Sequence, residues 1–448
     1  MKIAIQFSNP FVLIFLIGTA VSLLINHFLE FVDYKARCKK GGSLPEEIKS
    51  VPGAAELFDT EKLAKICKYE NAKYFQFIPS SLCSFILDIL LILFGFYPYI
   101  YSSVCSWIGG IPQTVGKCFI CFLLFTALSS IPNTILSIPF SLYREFHTEK
   151  KFGFSNMTVK LWIADQLKSL AISLVFAVLL TFVASLFFVK CPQSWWFILA
   201  AVLIVFTFVM QIIYPKFIAP LFNKFEPLPD GEVKDKIMEI LNKTGFTNGG
   251  LFVMDESKRS GHSNAYFTGF GKTKRIVLYD TLIKSLTPDE LASVLSHELG
   301  HYKLHHITRR LFVLIPLEFL LFFALYKLAQ IPALYSGFGF STITFNAGDS
   351  ASFISSVQFI GLYLAVMIYG AVSEIISPLV NHFSRKDEFA ADAYAAKVCG
   401  TGENLISGLI KLNSENLSEL LPPKIYVFWN FSHPSLIERI QALRKATS

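Results

Sequence analysis

Seven runs of this chain stay apolar for about 20 residues, the length of helix that a bilayer core of about 30 Å requires. They fall at Phe11 to Glu30, Pro79 to Tyr97, Cys118 to Phe140, Leu170 to Val189, Trp195 to Tyr214, Leu311 to Gln330 and Ser352 to Ile375. Inside hydrocarbon a backbone must satisfy its own polar groups, so these runs are expected as helices and the chain as an all-α membrane protein. The composition agrees, with 53% hydrophobic and only 16% charged residues and a mean hydropathy of +0.50. The first run lacks a strongly basic start and a small-residue cleavage site, so it reads as a retained span.

Between the runs the basic residues alternate. The first loop carries Lys35, Arg37, Lys39, Lys40, Lys49, Lys62, Lys65, Lys68 and Lys73, and the third carries Arg144, Lys150, Lys151, Lys160 and Lys168. The second loop has only Lys117, the fourth only Lys190, and the sixth, Ile331 to Ala351, has none. The positive-inside rule then places the odd loops and the C-terminal tail in the cytosol and the N-terminus on the far side. The net charge of +7 is therefore read as topology, and no nucleic-acid-binding pattern accompanies it. Eight cysteines are scattered along the chain, and Cys118 and Cys121, inside an apolar run, are read as packing thiols.

The long fifth loop, Pro215 to Arg310, is soluble in character and faces the cytosol on this scheme. Gly231 to Leu241 has helical periodicity, while Gly250 to Met254 and Ile276 to Leu278 read as short strands. Thr287 is a good N-cap, with Pro288 at the first helical position and acids in the first turn. The helix that follows carries "VLSHELGHYKLHH", Val294 to His306. Residues four apart share a helix face, so His297 and His301 can offer two imidazoles to one zinc ion, with Glu298 beside them to polarise a water. His305 and His306 read as a solvated or interfacial pair at the membrane boundary. The longer HExxHxxGxxH pattern fails at Leu304 and Ile307, so a third ligand must come from elsewhere.

Three downstream glutamates compete for that position: Glu318 inside the sixth run, Glu374 at the end of the seventh, and Glu388 in "NHFSRKDEFAADAYAAKVCG". On a helix Arg385, Glu388 and Asp392 share one face, which offers a ligand carboxylate, an acceptor for a histidine Nδ1–H and a cation to orient them. A solvated helix face would look the same. The presence of HELGH in the same chain favours the metal reading.

The strings "SKRSGHSNAYFTGFGKTKRIVLYDTLI", "SRKDEFAADAYA", "FHTEKKFGFSNMT" and "FSHPSLIERIQAL", together with HELGH, give the chain a clear likeness. From about the first apolar run to the C-terminus it resembles the type I CAAX prenyl proteases, integral-membrane zinc endoproteases of the endoplasmic reticulum and nuclear envelope. The resemblance implies seven transmembrane helices around a large intramembrane cavity, with a cytosolic gluzincin-like zinc protease domain that carries a small β element. It implies one zinc ion per chain, held by His297, His301 and Glu388, with Glu298 as catalytic base. The substrates it implies are prenylated CaaX proteins or peptides, which lose their last three residues; some members also make a second, upstream cut. Asn264 is assigned to the substrate backbone and His433 to the oxyanion. His262 is placed between substrate binding and a loop role, and Arg439 between a cation near substrate and a partner for an acid. Asp392 and Arg385 are assigned to orienting the ligands.

The expected division is 1–214 for five spans and their loops, 215–310 for the protease insertion, 311–375 for two further spans, and 376–448 for a helical segment that completes the site. The expected setting is the endoplasmic reticulum or inner nuclear membrane, in contact with lipid, with a lumenal N-terminus and a cytosolic C-terminus. A broader quality-control zinc protease of membrane proteins is the alternative, and the family-like strings argue against it.

Overall fold

The computed structural model describes residues 3–246, 250–268, 275–340, 343 and 350–447. Residues 269–274 of the longest family-like string, and much of the lysine-free sixth loop, lie outside the described residues. The N-terminal membrane part contains α1 (Pro10–Lys40), α2 (Thr60–Leu93), the shorter α3 (Phe96–Trp107), α4 (Val115–Tyr143), α5 (Val159–Lys190) and α6 (Trp195–Ile213). The insertion follows as β1 (Phe225–Pro227), α7 (Glu232–Lys243), β2 (Leu251–Met254), β3 (Ala265–Thr268), β4 (Arg275–Tyr279) and α8 (Pro288–Lys303). Two more membrane helices, α9 (His306–Leu328) and α10 (Ser350–Ser373), lead to α11 (Ser377–Cys399), α12 (Glu403–Glu415), α13 (Lys424–Asn430) and α14 (Leu436–Thr447).

Among the described residues seven helices are long and apolar enough to cross a membrane, as the sequence predicts, but several run well past their apolar runs. The second span begins at Thr60 rather than Pro79, which sits inside the helix. It ends at Leu93 because Gly95 takes a left-handed φ of 68°, so Tyr97 belongs to α3. Lys62, Lys65, Lys68 and Lys73 therefore ride on a helical extension and not on a loop.

The spans form a closed ring. Each touches the next in the order α1, α2, α4, α5, α6, α9, α10, and α10 returns to α1. At the end remote from α8, α10 also crosses to α4 and α5, where Phe125, Phe188, Trp195 and Phe359 are fully buried in one apolar plug. Cys118 and Cys121 are buried there too, as packing thiols. Further along α4, Thr126, Ser129, Ser130, Asn133 and Thr134 line a cavity shared with Tyr363 of α10, on the opposite side of the ring. Asn133 donates to Asp88 of α2 at 3.0 Å. Polar side chains at mid-span are tolerated where they face a bundle interior, so the ring encloses a polar-walled space.

The β element is a four-stranded sheet of order β1, β2, β4, β3, of which the sequence reading found β2 and β4. Those two pair in parallel from Leu251 opposite Ile276 to Met254 opposite Tyr279, while β1 and β3 flank them antiparallel. One face packs on α7 and α8 through Ile237, Leu241, Ile276, Leu278, Leu295 and Leu299. A second core joins distant segments: Ile48, Phe58, Ile66 and Phe154 meet Leu405, Ile406, Ile410, Ile440 and Leu443. The first and third loops are thus structural parts of the protease body.

Candidate metal centre

Helix α8 is placed by its cap and by one glycine. At its start the Thr287 hydroxyl accepts from the Glu290 backbone N–H, and the Glu290 carboxylate accepts from the Thr287 N–H. Such a cap stabilises a helix by about 1 kcal/mol. Glu290 also holds Lys411 at 2.7 Å and Ser407 at 2.6 Å, which ties α8 to α12. Further along, Gly300 lies against α11, where an added Cβ would stand 3.0 Å from the Ala391 Cα. With no side chain between them the two helices close up. Glu388, about one turn before Ala391, then lands beside both histidines of α8.

The Nε2 atoms of His297 and His301 are 3.3 Å apart, and the two Glu388 carboxylate oxygens divide between them, Oε2 at 3.3 Å from His297 Nε2 and Oε1 at 3.3 Å from His301 Nε2. Ligands at about 2.0–2.1 Å from a tetrahedral ion are about 3.3 Å from one another, so the three donors have the spacing of one face of such a site. Among the described residues this is the one group of three His, Cys, Asp or Glu side chains able to share a metal. Glu388 Oε2 is buried with no hydrogen-bond donor, which is what a carboxylate waiting for a cation would show. The competing Glu318 and Glu374 lie outside this group.

The partners of the ligands are equally specific. His297 Nδ1 is 2.8 Å from Asp392, and Asp392 is clasped at both oxygens by the buried Arg439, at 2.6 and 2.9 Å. That geometry keeps a proton on Nδ1 and leaves Nε2 bare for a metal. Arg439 pairs with Asp392 and is 9% exposed, the arrangement of the partner for an acid among its two expected roles. His433 Nε2 stands 3.5 Å from Glu388 with its side chain largely open, at the rim of the centre. Glu298 follows His297 on the helix, half-buried, and burial pushes its carboxyl pKa above the ordinary range. A carboxylate so raised is suited to accept and return a proton.

Three sequence candidates lie elsewhere. Arg385 shares the face of Glu388, yet its guanidinium reaches the carbonyls of Val427, Phe428 and Phe431, the last at 2.6 Å. The C-terminal carbonyls of α13 and the Phe431 carbonyl just beyond it take a long, flexible donor that local helix geometry would give to the proposed metal ligands. Arg385 therefore anchors the segment leading to His433. His262 stacks on Phe154 at 4.0 Å and lies 3.1 Å from Asn416 and 3.5 Å from Glu149, joining the sheet to the helical body. Asn264 is exposed at the head of edge strand β3, where its side chain accepts from the Ala265 N–H. His306, set aside from the sequence, is buried with its Nδ1 3.0 Å from His301 Nδ1. The doubled histidine just beyond HELGH was the available signal.

Residues 34–224 match the family profile described as the CAAX prenyl protease N-terminal, five membrane helices, and residues 227–447 match peptidase family M48. CAAX prenyl protease 1 of Saccharomyces cerevisiae is 35% identical over 419 residues, 89% of each chain. The chain belongs to the CAAX prenyl protease 1 family. The human homolog is 32% identical over 437 residues, 88% of each chain. The crystal structure of S. mikatae Ste24p superimposes with a TM-score of 0.83 at 31% identity, covering 97% of this chain and 99% of that one. The M48 match contains both HELGH and Glu388, so the two halves of the centre lie within one peptidase unit. The chain is a multi-pass membrane metalloprotease.

Proposed function

We propose that this protein is a zinc endoprotease that removes the C-terminal three residues from prenylated CaaX proteins, with a second, upstream cut on some substrates. The observation that carries it is the His297, His301 and Glu388 triad at tetrahedral spacing, with Glu298 on the same helix, at one end of a ring of membrane spans. The names of the relatives supply the substrate class. Two nitrogens and one oxygen suit zinc, which when bound lowers the pKa of a water and polarises the scissile carbonyl.

Glu298 takes the proton of the attacking water and returns it to the departing amine. His433, at the open rim, donates toward the oxygen on which negative charge develops. Asn264 binds the substrate backbone, its amide offering both a donor and an acceptor to an extended peptide; its exposure at the head of edge strand β3 supports this role. The position of α8 at one end of the membrane spans supports a lipid-modified substrate, whose prenyl chain can stay at the membrane while its peptide reaches α8. The alternation of basic residues supports a cytosolic site in the endoplasmic reticulum or inner nuclear membrane, with the N-terminus lumenal.

The test is the purified protein in detergent with matched farnesylated and unprenylated CaaX peptides, with and without a zinc chelator. Release of the tripeptide from the farnesylated peptide alone, lost on chelation and restored by zinc, is the expected result. Equal cleavage of both peptides would sink the substrate assignment, and undiminished cleavage after metal removal would sink the mechanism.

A further inference from the structure

Nothing in the reaction so far uses His306, yet its surroundings assign it a task. It is the first residue of α9, directly after His305, whose φ of 57° is left-handed. That conformation is uncommon for a residue with a side chain, and here it breaks α8 from α9 and folds His306 back against the metal-site helix. The His306 side chain is 3% exposed, its Nδ1 is 3.0 Å from His301 Nδ1, and the two rings meet edge to face at 5.1 Å. On its other side His306 Nε2 is 4.0 Å from Asp387, which is 2% exposed. Asp387 is in turn held by Arg309 and, at 3.3 Å, by Arg310, both from the first turns of α9.

Only one of two facing Nδ1 atoms can carry the proton. If His301 turns a bare Nε2 toward Glu388 and His297, its own proton sits on Nδ1, and His306 must meet it with a bare Nδ1. The His306 proton is then on Nε2, on the side of the Asp387 carboxylate, where the local charge favours it. Each link fixes the next, back to two guanidinium groups.

We propose that His306 is a positioning residue for the metal, which accepts the Nδ1–H of His301 and so aims the Nε2 lone pair of His301 at the shared centre. His297 has its separate partner in Asp392, so the two ligand imidazoles are held by independent arms. The His306 arm belongs to a membrane span, and it closes through Asp387 onto the neighbour of Glu388. This inference rests on the metal reading of the triad and adds a residue to it.

The deciding comparison is His306→Asn against His306→Gln, because both are polar and differ in where the acceptor sits. The asparagine oxygen occupies the place of Nδ1, whereas the glutamine amide lies one bond further out, level with Nε2. Zinc affinity is measured on purified protein by competition with a chromophoric chelator, alongside the visible spectrum of the cobalt-substituted protein. His306→Asn should keep wild-type affinity and spectrum, and His306→Gln should bind zinc about 10- to 100-fold more weakly with an altered spectrum. Wild-type affinity in His306→Gln, or an equal loss in both variants, overturns the proposal. Failure of the wild-type chain to take up zinc would instead overturn the function on which the proposal rests.

Discussion

Gly300 and Ala391 are in backbone contact: a Cβ on Gly300 would lie 3.0 Å from the Ala391 Cα and 3.1 Å from its carbonyl oxygen. This contact brings the helix with two histidines and the helix with the carboxylate to one distance. Gly300→Ala should force α8 and α11 apart, costing about 1–3 kcal/mol. Zinc affinity should fall with it. A variant with wild-type melting temperature and metal affinity would show that the helices are set by other contacts.

Glu298 is next to His297 and lies outside the proposed set of metal ligands. Glu298→Gln should therefore hold one zinc per chain while tripeptide release drops by about 10²–10⁴-fold. Metal analysis and turnover on the same preparation separate the two effects, and native turnover in this variant would remove Glu298 from the mechanism.

Asp392 carries both His297 and Arg439, and all three are buried. Asp392→Ala leaves a guanidinium without a counter-charge, a loss of about 3–5 kcal/mol, and frees the His297 tautomer. Thermal unfolding of the metal-free protein reads the first effect and chelator competition the second. Loss of affinity without loss of metal-free stability would confine Asp392 to orienting His297.

The left-handed His305 offers a test in the opposite direction. Glycine adopts that conformation freely, so His305→Gly should stabilise the protein by up to about 1 kcal/mol. A lower melting temperature in this variant would mean that the imidazole has a packing role outweighing its backbone cost.

His262 supplies a pH dependence away from the metal. Its hydrogen bond to Glu149 raises its pKa above the ordinary 6.5. A group whose pKa is raised on folding contributes stability below its unfolded pKa and loses that contribution as the pH climbs through the folded value. The difference in melting temperature between wild type and His262→Gln should therefore be largest below about pH 6.5 and shrink on the alkaline side. A difference that is constant with pH would show that His262 acts only by stacking on Phe154.

What could be read from the sequence was local. Four-residue spacing places His297 with His301, and Glu388 with Asp392, whatever the rest of the chain does. Arg439 is far from Asp392 in sequence, and nothing in its own neighbourhood announces that partner. Arg385 shows the converse, since its position on the helix suggests the metal centre while the carbonyls of α13 claim it. His306 depended on a left-handed residue that no glycine marks. The spans were visible because lipid demands apolar length, but their order around the ring was not, since a helix apolar on all sides carries no face to orient it. Their extension beyond the membrane was missed for a related reason: a helix in register continues through lysines as readily as through leucines.

The centre draws on residues made at well-separated times within the last third of the chain. The ribosome delivers His297 and His301 well before Glu388, and Asp392 before its clasp, Arg439, which lies in the last helix along with the final layer of the second core. A growing chain thus carries the two halves of the centre, and then Asp392 and its clasp, apart until the last helix has been made.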